Sequence, residues 1–590
     1  MIKINMLNTY TQQQRQLITD LQKDPRLYGL SRVELEILYN RGIRTADAID
    51  AFLYSNVNHL EASSDMKDCD KFCELLEHGI RNNQNIVCYT DYDVDGITSG
   101  LICREGLLKI INILNSSSTV DIYSNNRFIE GYGISKNGVK DLLMKYPNTN
   151  IIVTTDNGIV GYEGIDYAKS LGLTVIVTDH HTPGDVLPNA DAVIDVHRKD
   201  DNYPFKDLCG AGVIFKLILQ LAWNVGGNLD DFYSMLDLAA MGTVGDMVSL
   251  LGENRIIVRE GLQMVRKEQR LAFRIIREGI ENYNKMQNKE KSVIVDEDLF
   301  GFLYCPMLNS LGRLDGSIEK AIELFTSTDE KKMHSLVREI IESNEVRKDL
   351  TTTQTDDAIA KVNAMSCLPD VIVIEDDNYH EGIVGLIAGR LKELYNRPSF
   401  VFTKHNGVYK GSARSIDGLN LMDLLGKEKQ YLLGYGGHKS AAGLSIDPSN
   451  FDEFVKDINK NANLTEDLKT KKIDVDAAFQ VEEISEDLID RIAKLKPYGM
   501  NFPKPRFGLS NFKADIQNTG SPYRGADQKT VRLVDKNKFT VIMFKNPEAF
   551  QKVENKFNSG QIIKVIGSPS TNLFNNVVSL QFQVEDDYMF

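Results

Sequence analysis

Between Ile86 and Ile194 five short apolar runs alternate with helix-length segments: Ile86 to Thr90, Val120 to Ser124, Ile151 to Thr155, Thr174 to Thr178 and Ala192 to Ile194. Runs this short, interrupted this regularly, predict strands joined by crossover helices, the pattern of a parallel α/β sheet. In such a sheet ligands gather at the carboxyl ends of the strands, so the residues that follow each run carry the functional information. Three runs stop at ligand-type side chains. The first is followed by Asp91-Tyr92-Asp93-Val94-Asp95-Gly96, the third by Asp156-Asn157-Gly158 and the fourth by Asp179-His180-His181.

If strand geometry persists beyond Thr90, Asp91, Asp93 and Asp95 point to one face. Three carboxylates that close repel one another, and a divalent cation is the simplest compensation. Read alone, the segment is equally an acidic turn, since Asp and Gly are common there. The parallel sheet tips that balance, because its strand ends converge on one rim and turn three loop coincidences into one site. Asp246, in Gly242-Thr243-Val244-Gly245-Asp246-Met247, is a candidate fifth ligand, although by itself it reads more readily as a helix cap. Carboxylates mixed with imidazole favour Mn²⁺, with Mg²⁺ as the alternative and zinc disfavoured by the lack of thiolates. Two such ions about 3.5 to 4 Å apart activate a water, bridge phosphoryl oxygens and steady a leaving oxygen, which points to phosphoester hydrolysis.

At 590 residues the chain exceeds what one core holds, so three or four domains are expected. A formal charge of -15 excludes a uniformly basic nucleic-acid coat and leaves room for a local basic groove. Seven cysteines, an odd number without a CxxC pair, argue for a reducing compartment rather than a disulfide framework or zinc ribbon; Cys69 and Cys73 are expected to face a helix core. The start has no signal-like apolar segment, and no run of about 18 uncharged apolar residues occurs. The expectation is a soluble, cytoplasmic protein with no membrane association.

Residues 1 to about 80 read as helical and polar, without a catalytic constellation. A charged helical stretch from about Asp329 to Met365, with Ile340, Ile341, Val346 and Leu350 among the charges, reads equally as a connector between lobes or as a solvated surface helix. A second α/β pattern follows, with strands at Val371 to Ile374, Ser399 to Thr403 and Val408 to Ser412 and a helix at Gly382 to Tyr395. From about Ile473, alternating segments such as Val531 to Val534, Phe539 to Phe544, Ile562 to Ile566 and Val577 to Val584 predict a small all-β barrel or sandwich, with an OB-type barrel the natural candidate.

Taken together, the motifs resemble the DHH phosphoesterase superfamily, named for its Asp-His-His, and within it the bacterial 5′-to-3′ exonucleases specific for single-stranded DNA. Asp91 to Gly96 matches the first family motif, Asn126-Arg127-Phe128-Ile129-Glu130-Gly131-Tyr132-Gly133 the second, and Asp156 to Gly158, Asp179 to His181 and Gly242 to Asp246 the others, in order. Gly411-Ser412-Ala413-Arg414-Ser415 and Gly436-Gly437-His438-Lys439 are similar to the DHHA1 domain that accompanies this catalytic domain. The implied fold class is α/β: a parallel-sheet DHH domain (76–325), a connecting helix (326–365), a smaller α/β DHHA1 domain (366–470) and an OB-like β-barrel (471–590), preceded by an N-terminal helical region (1–75).

The resemblance implies that Asp93, Asp95, Asp156, His180 and Asp246 hold two Mn²⁺ ions, with Asp156 bridging, Asp91 close by and His181 assisting the phosphate or leaving group. By the same carry-over Arg127, Arg313, Ser412 and Arg414 clamp the 5′ phosphate, and Asn309, Gly437 and His438 join the substrate site. Without the motif context Arg127 and Arg313 read as surface ion-pair partners. The β domain would bind single-stranded DNA by stacking and a basic groove, with Tyr523, Arg524, Lys529 and Arg532 as candidates. The family commonly has Asn-Ala-Ala-Gly-Arg where this chain has Asn309-Ser310-Leu311-Gly312-Arg313, and Ala-Asp at Gly245-Asp246.

The implied activity is release of 5′-mononucleotides from single-stranded DNA in recombination and repair, by a monomer that meets single-strand-binding protein or a helicase. A relative cleaving short oligonucleotides or cyclic dinucleotides is the second reading, disfavoured by the extra β domain. A catalytically silent scaffold is the third, disfavoured by the intact Asp93, Asp95, Asp156 and His180.

Overall fold

A computed structural model describes residues 2–287, 293–525, 528–544, 547–574 and 577–590. The chain divides into two compact units, Asn56–Thr470 and Met1–Ser55 together with Lys471–Phe590.

The larger unit opens on the predicted sheet. Its strands β1 (Asn85–Thr90), β2 (Val120–Ser124), β3 (Thr149–Thr155), β4 (Thr174–Asp179) and β5 (Ala192–Asp195) lie in the order β2-β1-β3-β4-β5, every neighbouring pair parallel. Helix α1 (Val94–Ile113) follows β1 and packs with α2 (Gly210–Asn224) and α3 (Leu236–Gly245) on one face. The apolar side chains of these helices and of Cys69–Arg81, including Cys69 and Cys73, form one core with the sheet. A smaller cluster around Tyr89, Val139, Ile152 and Val177 covers the other face. Burial on both faces explains why the strands read as unbroken apolar runs rather than as alternating ones. The order β2-β1-β3 reverses direction at β1, so a crevice opens beyond the ends of β1 and β3.

Helix α4 (Cys305–Leu314) leads to α5 (Glu330–Asn363), a single helix of 34 residues, about 51 Å long at 1.5 Å per residue. Both readings of this stretch hold in part. Met333, Leu336, Val337, Ile340 and Ile341 are buried in the first domain's core, and Ala358 and Val362 in that of the second, whereas Val346 is exposed. The second domain has strands β6 (Ile372–Glu375), β7 (Ser399–His405), β8 (Val408–Arg414), β9 (Leu432–Gly437) and β10 (Ala441–Ile446) in the order β9-β10-β8-β7-β6, parallel only between β6 and β7. Helix α6 (Val384–Tyr395) packs on β7 and β8.

In the smaller unit the N-terminal segment is not wholly helical. Ile2–Met6 is a strand paired in parallel with Lys471–Val475, ahead of helices Gln12–Gln22, Arg32–Asn40 and Ala46–Tyr54. No local signal announces this strand, because its partner lies far along the chain. Residues 56–75, assigned from the sequence to the same region, belong to the larger unit. The C-terminal strands form one seven-stranded mixed sheet from Ala477–Phe479 at one edge to Tyr523–Arg524 at the other. No pairing among the described residues closes it into a complete barrel. No described helix is long and apolar enough to cross a membrane. All seven cysteines are free.

The N-terminal helices are fastened to this sheet by a buried ion pair, Arg41 Nη1 to Asp476 Oδ1 at 2.5 Å and Nη2 to Oδ2 at 3.1 Å, with Arg41 also over the Phe502 ring. Arg41→Met strands Asp476 in the interior and is expected to cost roughly 3–5 kcal/mol, read by chemical denaturation. Adding Asp476→Asn in the same chain should recover much of that loss.

Candidate metal centre and anion pocket

Each acidic residue is placed by a different local device. After Thr90 the strand does not continue: Asp93 Oδ1 accepts the Asp95 and Gly96 amides at 3.0 and 3.1 Å and caps α1. The expectation that Asp91, Asp93 and Asp95 share one strand face is therefore not met, because the start of the helix turns Asp95 away. Gly96 is required here, since a β-carbon would lie 2.4 Å from the Asp91 carbonyl oxygen. Asp95 is held by the N-terminus of α2, whose Gly210 and Ala211 amides donate to its two oxygens at 2.6 and 2.9 Å. Asp156, just past β3, adopts φ +63°, a left-handed conformation that costs a non-glycine residue about 1–3 kcal/mol. Asp246 does cap the end of α3, as its position in the sequence suggests, and its carboxylate also reaches the cluster.

Potential ligands fall into three groups: two triads without a common member, Asp91, Asp93 and Asp156, and Asp95, His180 and Asp246, joined by a third, Asp156, His180 and His181. They meet where His180 Nε2 lies 3.1 Å from Asp156 Oδ1; the same nitrogen is 3.7 Å from Asp95 Oδ2 and from Asp246 Oδ2. Asp91 Oδ1 and Asp156 Oδ1 are buried without any hydrogen-bond partner. Burial and then neighbouring carboxylates raise Asp91, Asp156 and Asp246 well above the usual carboxylate range, and burial with Asp93 lifts Asp95 to about 6. Burial, with His181 beside it, lowers His180 to about 3, so it presents a neutral nitrogen. Orphaned carboxylate oxygens facing a neutral imidazole fit divalent cations.

His181 differs from its neighbour. Burial opposes its charge, but Asp179 Oδ1, 2.7 Å from Nδ1, lifts it to about 9. Asp179 also accepts the His180, His181 and Ile159 amides, which orients the whole Asp-His-His turn. Tyr132 Oη is 3.1 Å from His181 Nδ1, and the His438 ring of the second domain stacks on it at 5.9 Å. Gly437 makes that approach at φ +146°, where a β-carbon would meet the Ala441 carbonyl. Asp179 and Tyr132 are not among the site residues named from the sequence; both lie inside motifs quoted there, so the signal is present. Asn309, placed with the substrate residues above, accepts the Val94 amide at 2.8 Å and thereby steadies the start of α1.

A second cluster carries the opposite charge. Arg127 lies over the Tyr92 ring at 5.0 Å, Arg313 Nη1 donates to the Gly382 carbonyl at 3.3 Å, and Arg414 Nη1 donates to Ser412 Oγ at 2.9 Å. None of the three forms an ion pair among the described residues, so the surface-pair reading does not hold. Burial, then Arg127 and Arg414, lower Arg313 to about 10; burial and Arg127 lower Arg414. Like charges held together without a direct ion-pair partner form a ready anion site. Among the departures from the family pattern, Ser310 and Leu311 are buried in α4, and a β-carbon on Gly245 would strike Val94 Cγ1 at 2.2 Å. In the β-rich unit Arg524 is spent on the Thr519, Ser521 and Tyr523 carbonyls, and Tyr523 packs edge-on against Phe550.

The acid shifts have a sign. A carboxyl raised in the folded state contributes stability that is present below its unfolded value and lost as pH rises through the folded one. For Asp95 that window runs from the ordinary value 3.8 to about 6, and for Asp91, Asp156 and Asp246 it extends well above 3.8. His180 works the other way, one imidazole against four carboxyls. Chelator-treated protein is thus expected to melt higher near pH 5 than near pH 8, and saturating Mn²⁺ should remove the difference by filling the site. Melting curves that ignore the ion at both pH values would count against a cation site here.

Three family models match the chain: the DHH family N-terminal domain over residues 85–243, the DHHA1 domain over 368–463 and the RecJ OB domain over 475–586. The single-stranded-DNA-specific exonuclease RecJ of Bacillus subtilis (strain 168) is 32% identical over 563 residues, 93% of this chain and 67% of the relative. The protein of that name from Escherichia coli (strain K12) is 31% identical over 489 residues, 79% of this chain and 81% of the relative. The crystal structure of RecJ in complex with Mn²⁺ from Thermus thermophilus shares the fold, with a TM-score of 0.78 at 24% identity over 99% of this chain and 79% of that one. With its Asp-His-His turn set among buried carboxylates, the chain belongs to the RecJ family of DHH phosphoesterases.

Proposed function

We propose that this protein is a metal-dependent exonuclease that hydrolyses single-stranded DNA from the 5′ end and releases 5′-mononucleotides, in recombination and repair. The observation that carries the reading is the pairing of two carboxylate-rich ligand triads with an unpaired arginine cluster in one unit of the chain. The first suits phosphoester hydrolysis and the second suits a phosphate that stays bound. Its named relatives act on single-stranded DNA, and the β-rich unit gives such a strand further surface to bind.

Asp91, Asp93 and Asp156 would hold one divalent ion and Asp95, His180 and Asp246 the other, with Asp156 and His180 at their junction. Mn²⁺ suits this mixed oxygen and nitrogen set better than Mg²⁺. When bound, such a pair supplies a hydroxide nucleophile and charge stabilisation at the phosphorus. Arg127, Arg313 and Arg414, with Ser412, hold the terminal 5′ phosphate, so that the next phosphate along the strand is the one cleaved. His181, kept protonated by Asp179, donates its proton to the 3′ oxygen of the departing nucleotide as the P–O bond breaks. Asp179 and Tyr132 fix the ring for that transfer. The enzyme works as a cytoplasmic monomer on strands exposed by a helicase or covered by single-strand-binding protein.

End-labelled single- and double-stranded oligonucleotides with Mn²⁺ test this directly. Single strands alone should shorten stepwise from the 5′ end, and chelator or Asp156→Ala should reduce the rate by roughly 10³-fold or more. His181→Ala should lower kcat by about 10²–10⁴-fold with little change in KM. Loss from the 3′ end, or a preference for dinucleotides, would overturn the substrate assignment.

A further inference from the structure

The arginine cluster is assembled from two domains, and one residue outside it touches both sides. His380 precedes α6 in the second domain. Its Nδ1 accepts the Gly382 amide at 3.1 Å, and the Gly382 carbonyl accepts Arg313 Nη1 at 3.3 Å. Gly382 is pressed so closely on Arg313 that a β-carbon would lie 2.0 Å from the Arg313 carbonyl oxygen. On its other side the His380 ring meets the ring of Phe128 edge-on at 5.8 Å, and Phe128 adjoins Arg127 in the loop from the first domain. The turn is anchored from a third direction, since Gln354 of α5 accepts the His380 amide at 3.2 Å and donates to the Asn378 carbonyl at 3.3 Å.

We infer that His380 is a positioning residue that sets Arg313 and Arg127 at the separation a terminal 5′ phosphate requires, and so determines the preference for phosphorylated over hydroxyl 5′ ends. The inference rests on the clamp described under the proposed function. Its chemistry is that of a neutral ring. To accept from Gly382, Nδ1 must carry no proton, which leaves the proton on Nε2. Burial, with Arg127 nearby, lowers the His380 pKa and favours that form. Without the ring, the Gly382 carbonyl loses its fixed direction, and the buried guanidinium of Arg313 loses a well-placed acceptor.

The test compares KM and kcat on single-stranded oligonucleotides bearing a 5′ phosphate or a 5′ hydroxyl, for the full chain and for His380→Ala, His380→Asn and Arg313→Met. Asparagine keeps an acceptor near the place of Nδ1. His380→Ala should lose roughly ten-fold of the phosphate preference, mainly through KM for the phosphorylated end, while His380→Asn stays within about two-fold of the wild type. Melting temperature and Mn²⁺ binding should be the same in both. If His380→Ala keeps the preference while Arg313→Met loses it, His380 has no positioning role and the inference falls. Equal loss in His380→Ala and His380→Asn would also overturn it, because bulk rather than the acceptor would then matter. Should Arg313→Met itself leave the preference intact, the clamp fails and takes the inference with it.

Discussion

The constraint on which the rest of this structure depends is the cost of crowding ionisable oxygens where water cannot reach them. Asp91, Asp95 and Asp156 are buried, and two of their oxygens have no partner. Without ions that cost is relieved only by protonation, which the raised carboxyls show, so at neutral pH the centre is suited to completion by cations. Its other features read as means of keeping the carboxylates in place despite their repulsion. The α2 N-terminus holds Asp95, the α1 cap holds Asp93, and a left-handed backbone at Asp156 stores strain at the point where the two triads meet.

The second requirement is to bring a separate positive pocket within reach of that centre. The long helix α5 meets it by being buried in two cores, the first domain's at one end and the second domain's at the other. His438 then stacks on His181, and Gly382 packs on Arg313, both across the domain boundary. Negative and positive clusters therefore have different jobs. On the function proposed above, one would activate the reacting phosphate, and the other would fix the terminus from which the strand is counted.

Much of this was legible in the chain. Strand ends finishing in Asp or His predict a rim of ligands because a parallel sheet aligns its carboxyl ends, and the cluster of Asp91, Asp93, Asp95, Asp156, His180 and Asp246 does assemble. What failed was local geometry. The alternation expected of Asp91, Asp93 and Asp95 gave way to a helix cap, because the strand ends at Thr90 and the chain turns at once. The strand Ile2–Met6 was unreadable for a different reason, since its stability comes from a partner near residue 471.

By itself the sequence determined which chemistry the protein could perform: its spacing of apolar runs imposes the sheet, and its acids and imidazoles at the run ends impose a cation site. Only the tertiary structure decided how that chemistry is divided. The assignment of Asp95 to one triad and Asp93 to the other depends on which amides each carboxylate meets, and those amides come from residues more than a hundred positions apart in the chain. The same holds for Arg313 and Arg414, whose shared depression follows from burial first and then from the Arg127 guanidinium beside them. Spacing along a chain fixes periodicity and composition, whereas electrostatic coupling follows distance in space, which folding sets.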